Sequence, residues 1–277
     1  MSIINCKGKL LDLSQPRVMG IINATPDSFY EGHLPLGNDE ILSVAGKMIL
    51  DGADIIDIGG QSTKPGSQRI LPQQELDRVL PVIEAIHKKY PDSIISIDTY
   101  SSEVATAAVA AGASIVNDIS GGNLDEAMIP MVAQLKVPYV CMHMQGTPAT
   151  MQKEPVYTDV VKEVLDHFIS KLEECHKAGI IDVIIDPGFG FGKTIEHNFR
   201  LLKSLSVLAI TNRPILVGLS RKSTIYKTLG IAVAEALNGT TVLNTMALMN
   251  GASILRVHDV KEAREAITLF TAYKKAP

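Results

Sequence analysis

Apolar runs rich in isoleucine and valine recur eight times along the chain: RVMGIIN (17–23), ADIIDIG (53–59), SIISIDT (93–99), ASIVNDI (113–119), PYVCMHM (138–144), DVIIDPG (182–188), PILVGLS (214–220) and SILRVHD (253–259). Between them lie segments whose apolar positions follow the helical period, such as NDEILSVAGKMILDG (38–52), QQELDRVLPVIEAIHKKY (73–90), SSEVATAAVAAG (101–112) and DVVKEVLDHFISKLEECHKAG (159–179). Near-continuous apolar strands alternating with amphipathic helices predict a parallel sheet covered by helices, and eight such units predict a TIM (β/α)8 barrel. A doubly wound open sheet is the other architecture with this alternation. The start, INCKGKLLDL (4–13), predicts a β-hairpin turning at Gly8 and capping the barrel floor. No linker or low-complexity stretch divides the chain, so a single domain over 1–277 is expected.

Two connections after strands are long and lack periodicity: ATPDSFYEGHLPLG (24–37) and GQSTKPGSQRILP (60–72). In a barrel both belong on the C-terminal face, where active sites are built. Composition narrows the partner. A net charge of -4 with no long basic run leaves no footprint for nucleic acid or an anionic membrane. The three cysteines, Cys6, Cys141 and Cys175, are scattered and odd in number, against a disulfide framework and in keeping with a reducing cytoplasm. With no signal-like start and no apolar span of membrane length, the expectation is a cytoplasmic protein acting on small molecules.

Polar residues close nearly every predicted strand: Asn23, Asp57, Asp98, Asn117 with Asp118, His143, Asp186, Ser220, and Arg256 with His258. One strand-end aspartate is ordinarily a helix cap, and Asp118 and Asp259 are expected to be such cases, with His143 a core histidine. Eight polar ends facing one mouth need another reason, because buried polar groups require partners or a ligand. Asp57, Asp98, Asn117 and Asp186 can hydrogen-bond the edge of an aminopyrimidinone-like ring. Arg221, Lys222, Arg256 and His258, after strands seven and eight, fall where barrels bind phosphate, the last two being expected to share one face of strand eight. DPGFGFGKT (186–194) is no P-loop, since Pro187 stands where its first glycine is required. It is expected to be a sharp turn offering Phe189 or Phe191 as a flat apolar surface. The predicted ligand is a polar flat ring with an anionic tail.

The motifs MGIINATPDSF, DIGGQSTKPG, SIDTY, NDISGG, MHMQGTP, DPGFGFGK, GLSRKS and RVHD, in this order, resemble the dihydropteroate synthase family over essentially the whole chain. That resemblance implies a TIM barrel, commonly a homodimer, which joins 6-hydroxymethyl-7,8-dihydropterin diphosphate to 4-aminobenzoate, releases diphosphate and is inhibited by sulfonamides. It implies pterin binding by Asp98, Asn117, Met142, Asp186 and Lys222. Asn23, Arg256 and His258 would hold the diphosphate, with Mg²⁺ at Asn23. Thr63, Pro65, Phe191 and Ser223 would form the aminobenzoate subsite, closed by loops carrying Asp27, Ser28, Phe29 and Lys64. Asp57, Asp98, Lys222, Arg256 and His258 form the implied catalytic set. The chain departs from the family's GGESTRPG at Gln61 and Lys64, which bears on the second loop and on aminobenzoate affinity. The alternatives are a methyltetrahydrofolate:corrinoid methyltransferase-like barrel and an inactive pterin-binding paralogue.

Overall fold

The computed structural model describes residues 3–25, 38–62, 66–151 and 155–277. The chain opens with an antiparallel hairpin of β1 (Ile3–Cys6) and β2 (Lys9–Asp12). Its two-residue turn places Lys7 at φ 52° and Gly8 at φ 90°, the left-handed pair that matches strand twist in tight hairpins. The barrel strands follow: β3 (Arg17–Asn23), β4 (Ile55–Gly59), β5 (Ile94–Asp98), β6 (Ile115–Asp118), β7 (Tyr139–Met142), β8 (Val183–Asp186), β9 (Leu216–Val217) and β10 (Ile254–Val257). Between and after them run α1 (Asn38–Leu50), α2 (Pro72–Lys89), α3 (Ser102–Ala111), α4 (Met128–Leu135), α5 (Val160–Ala178), α6 (Ile195–Lys203), α7 (Ser223–Leu229), α8 (Leu237–Met249) and α9 (Val260–Lys275).

All neighbouring barrel strands pair in parallel, in the order β8-β7-β6-β5-β4-β3-β10-β9. A parallel bridge from Ile185 to Ile215 joins the two ends. This closure rules out the open doubly wound sheet. β9 is only two residues long, shorter than PILVGLS suggests, and Gly218 follows directly on it.

Strand alternation sorts the side chains. Facing the helices, Ile56, Ile58, Ile95, Ile97, Val116 and Cys141 pack with α2 and α3, while Val217, Leu255 and Val257 pack with α8 and α9. Facing inward, each strand contributes one residue to a floor: Met19, Ile55, Ile94, Ile115, Val140, Ile184, Leu216 and Ile254. Against that floor sit Ile4, Cys6, Leu11 and Leu13 of the hairpin segment, so the hairpin plugs the N-terminal end as expected. Asn5 N–H donates to Asp182 at 2.9 Å and Lys7 Nζ to the Val109 carbonyl at 2.8 Å, tying the plug to the barrel's lower loops.

Candidate active site

Two residues further along five of the eight strands, the inward positions turn polar, while Ile21, Met142 and Gly218 take these places on the other three. Asp57, Ser96, Asn117, Asp186 and Arg256 each follow a floor residue by two, and Asp98 stands two above Ser96. Register sets their heights: Asp98 pairs with Asn117, Asp57 with Ser96, and Met142 with Asp186. Gly59, opposite Asp98, leaves only 3.4 Å between a hypothetical Cβ and the Asp98 Cβ, so the carboxylate is closely walled.

Arg256 ties this layer together. Its Nε donates to Asp57 Oδ2 at 2.6 Å and its Nη2 to Asp98 Oδ2 at 2.5 Å, while Asn117 Nδ2 donates to the same Asp57 oxygen at 3.1 Å. Asp57 is wholly buried, and its Oδ1 has no hydrogen-bond partner. Burial pushes Asp98 up to about 7 even though Arg256 opposes the shift. Arg256 itself is held above its usual value, since Asp57 and Asp98 outweigh the cost of burial. The guanidinium expected to hold only an anion is therefore first the counter-ion of two buried acids.

Asp186 ends β8, and its Oδ1 accepts the Gly188 N–H at 2.8 Å. Burial raises its pKa, with Lys222 pulling the other way. The loop after it cannot carry side chains at its glycines: Gly188 and Gly192 have φ 68° and 62°, and a Cβ would fall 1.9 Å from the His143 carbonyl oxygen and 2.4 Å from that of Gln145. Phe189 is wholly buried in the core, whereas Phe191 packs partly exposed against Tyr100, Ile119 and Met142. Of the two candidate aromatics, Phe191 thus faces the mouth. Lys222 Nζ stands 4.6 Å from the Phe191 ring centroid and donates to the Phe189 carbonyl. Burial lowers the Lys222 pKa to about 8, Asp186 working against that fall. Ser223 begins α7 beside it.

The anion side differs from expectation in two respects. β10 ends at Val257, so His258 lies one residue beyond the strand that was expected to carry it with Arg256. His258 instead pairs with Ser220: Ser220 Oγ accepts the His258 backbone N–H at 3.2 Å and lies 3.0 Å from Nδ1. Arg221 turns away to Asp259, donating through Nε at 2.9 Å and Nη2 at 2.8 Å, and its Nη1 donates to the Ala234 carbonyl at 3.0 Å. It is a structural fork rather than a free cation, and Asp259 is its partner. Arg221 has φ 54°, a left-handed turn immediately before Lys222. The protein packed around the His258 ring lowers its pKa, with Arg256 adding to the effect, although the residue keeps an exposed surface; the imidazole is neutral near pH 7.

Asp118 is structural, but it holds the turn after β6 rather than capping a helix. It faces outward and accepts from Ser120 N–H and Oγ, Gly122 N–H and Tyr139 O–H, all at 2.7 Å. His143 is buried one residue beyond β7. Asn23, at the end of β3, is half-buried. Asp27, Ser28, Phe29, Thr63, Lys64 and Pro65 lie outside the described residues. Gln61, at the root of the second loop, donates to the Ser62 and Gln68 carbonyls at 2.9 and 3.0 Å and accepts from Ile70 N–H at 2.9 Å. A glutamate there, as an acceptor only, would lose both donations. Three residues escaped the sequence reading: Ser96, Ser220 in its pairing role, and Lys193. Ser96 was detectable, being a polar residue in register with Asp98 by period two.

The family model for the pterin binding enzyme matches residues 19–258. The chain is 44% identical to the dihydropteroate synthase of Escherichia coli (strain K12) over 268 residues, which is 96% of this chain and 94% of that protein. It superposes with a TM-score of 0.94 on the Yersinia pestis dihydropteroate synthase in complex with a sulfonamide drug, at 41% identity, covering 99% of this chain and all of the other. The Xanthomonas albilineans enzyme in complex with 7,8-dihydropteroate gives a TM-score of 0.90 at 37% identity, covering 99% of this chain and all of the other. A polar mouth on a closed barrel, matched along its length by these proteins, places the chain in the pterin-binding enzyme family, among the dihydropteroate synthases.

Proposed function

We infer that the mouth divides the work of a dihydropteroate synthase, joining dihydropterin diphosphate to 4-aminobenzoate, among the residues described above. The observation that carries this division is the joint placement of Asp98, Asn117, Asp186 and Lys222 around one inward-facing layer beside Phe191. Asp98 and Asp186 each give one oxygen to the protein and have a second with which to accept N–H groups of a pterin. Asn117, held by Asp57, presents its amide at the same level, and Met142 packs the ring from β7. Lys222 supplies the donor opposite these acceptors.

On the diphosphate side Arg256 retains Nη1 after binding the two aspartates. Ser220 fixes the histidine: its Oγ accepts the His258 backbone N–H and lies within hydrogen-bond distance of Nδ1, and in the tautomer where the hydroxyl donates to Nδ1, Nε2–H is left to donate to an oxyanion. Asn23 offers one amide oxygen to a divalent ion. Among the described residues no His, Cys, Asp or Glu group could hold a metal alone. That suits Mg²⁺, which is commonly carried by substrate phosphates and needs few protein ligands. When bound, Mg²⁺ would share the charge of the diphosphate. Aminobenzoate would stack at Phe191 beside Ser223, with Thr63 and Pro65 completing the subsite and the Asp27, Ser28, Phe29 and Lys64 loops closing over it.

An arylamine needs no base to attack, so the larger task is expelling diphosphate. Departure before attack would leave a cationic methylene-pterin, and Asp57 and Asp98 place negative charge next to the layer where that cation would form. The partnerless Asp57 Oδ1 adds an acceptor held ready at no reorganisation cost. A methyltransferase of the same fold has no use for the Ser220-tuned His258 and the Lys222 cluster, and an inactive paralogue has no need of both.

A homodimer is part of the same reading. A groove of about 820 Å³ between α8 and α9 is lined by Leu237, Met249, Ala266, Leu269, Phe270 and Tyr273, and Leu269 and Tyr273 are among the most exposed apolar side chains. No described helix is long and apolar enough to cross a membrane. The test of the whole reading is diphosphate release from the pterin substrate. 4-Aminobenzoate should accelerate it severalfold and sulfamethoxazole should compete with 4-aminobenzoate; release indifferent to both would refute the assignment.

A further inference from the structure

The DPGFGFGK loop ends in a lysine that no role above uses. Lys193 is 2% exposed and, among the described residues, makes no ion pair. Its ammonium instead meets four acceptors: His143 Nδ1 at 2.9 Å, the Gly188 carbonyl at 3.0 Å, the Phe191 carbonyl at 3.1 Å and the His143 carbonyl at 3.3 Å. A phosphate-anchoring lysine would point its tip at solvent or substrate; this one is turned inward and its donors are used. Burying a cation is costly, and with Asp186 acting on it only beyond ion-pair distance these contacts carry much of the compensation. Burial lowers Lys193 to about 7 and His143 to about 2, which keeps the Nδ1 lone pair of His143 available.

The acceptors come from two places, the end of β7 and both ends of the loop. Three glycines of that loop are in left-handed conformations, and besides Lys193 its backbone is held by Asp186, Asn198 and Tyr157. What the loop carries is Phe191, over which Lys222 sits, and the Phe189 carbonyl to which Lys222 donates. Gly190 packs against the Lys222 stem, a hypothetical Cβ falling 3.2 Å from Lys222 Cδ.

We propose that Lys193 is a positioning residue for the aminobenzoate subsite, pinning the 187–193 loop to the end of β7 so that Phe191 is held at a fixed place beside Lys222. The proposal rests on Phe191 being the wall of that subsite. Lys193 touches neither substrate and acts through the loop backbone.

A double-mutant cycle tests it. Lys193→Met keeps the stem and removes the donors. It should raise KM for 4-aminobenzoate about tenfold, with a smaller change in the calorimetric Kd for pterin diphosphate measured without aminobenzoate. Phe191→Ala should raise the same KM, and in that background Lys193→Met should add less than twofold, since both act on one contact. If Phe191→Ala alone leaves KM unchanged, the subsite reading fails and the proposal with it. If Phe191→Ala raises KM while Lys193→Met leaves it unchanged, or if the two effects multiply, only the Lys193 proposal is overturned. Should Lys193→Met not fold, His143→Phe removes one acceptor and leaves three carbonyls. It is then expected to raise KM two- to threefold and to be silenced by Phe191→Ala, and an unchanged KM would overturn the proposal.

Discussion

Asp98 and Lys222 illustrate how single residues are set for their tasks. Burial disfavours the charged form of each, so the acid rises to about 7 and the amine falls to about 8, with Arg256 and Asp186 respectively limiting the shifts. The proposed pterin recognition by an anionic Asp98 and a cationic Lys222 then needs a pH above the first value and below the second. The expected kcat/KM for pterin diphosphate rises through about pH 7, is highest near 7.5 and falls above about 8. In Lys222→Arg the alkaline limb should move up by more than one unit, because guanidinium does not titrate there; a limb that stays put would assign it elsewhere. Most of these residues are legible in the chain because period two places Asp57, Asp98, Asn117, Asp186 and Arg256 on the inward face. Arg256's dual ion pair, Ser220 against His258, and Lys193 against carbonyls were not legible. Each joins positions 38 to 199 residues apart, apart from the local loop contacts of Lys193, and depends on which way a long side chain turns.

At the scale of elements, the two ends of the barrel do separate work. The hairpin fills the floor, whereas every residue proposed for catalysis lies at or beyond the polar layer. Ile4→Ala, which empties a 1% exposed position in the cluster the hairpin forms with the floor, should cost about 2–5 kcal/mol of stability by the usual large-to-small penalty. Both KM values should stay within twofold of wild type at a temperature where the variant is folded. Chemical denaturation with parallel kinetics checks this, and a large KM change would mean that the floor and the mouth are coupled. The eight strands were readable as apolar runs, and the hairpin from its Lys-Gly turn. Strand ends were less so: β9 stops after two residues, and β10 before His258, because pairing ceases where the chain turns into loops that hold site residues.

For the whole molecule, sequence alternation alone left a closed barrel and an open sheet both possible, since each is built from the same repeating unit. The bridge between Ile185 and Ile215 decides it, and the pairing of the last strand, β10, with β3 beside β4 is what brings Arg256 within reach of Asp57 and Asp98. That pairing also explains why carboxylates distant in sequence share one guanidinium, an arrangement that would leave two buried acids uncompensated if Arg256 were lost. The proposal that this mouth makes dihydropteroate puts Lys222 in contact with the pterin. Its most direct test is to incubate the purified protein with dihydropterin diphosphate, 4-aminobenzoate and Mg²⁺ and to follow dihydropteroate by chromatography, beside Lys222→Ala. The prediction is product from the wild type and a fall in kcat/KM of about 100-fold in the folded variant, the worth of a charged hydrogen bond lost in a buried site. No product from a wild-type protein that still binds the pterin, or an unimpaired Lys222→Ala, would contradict it.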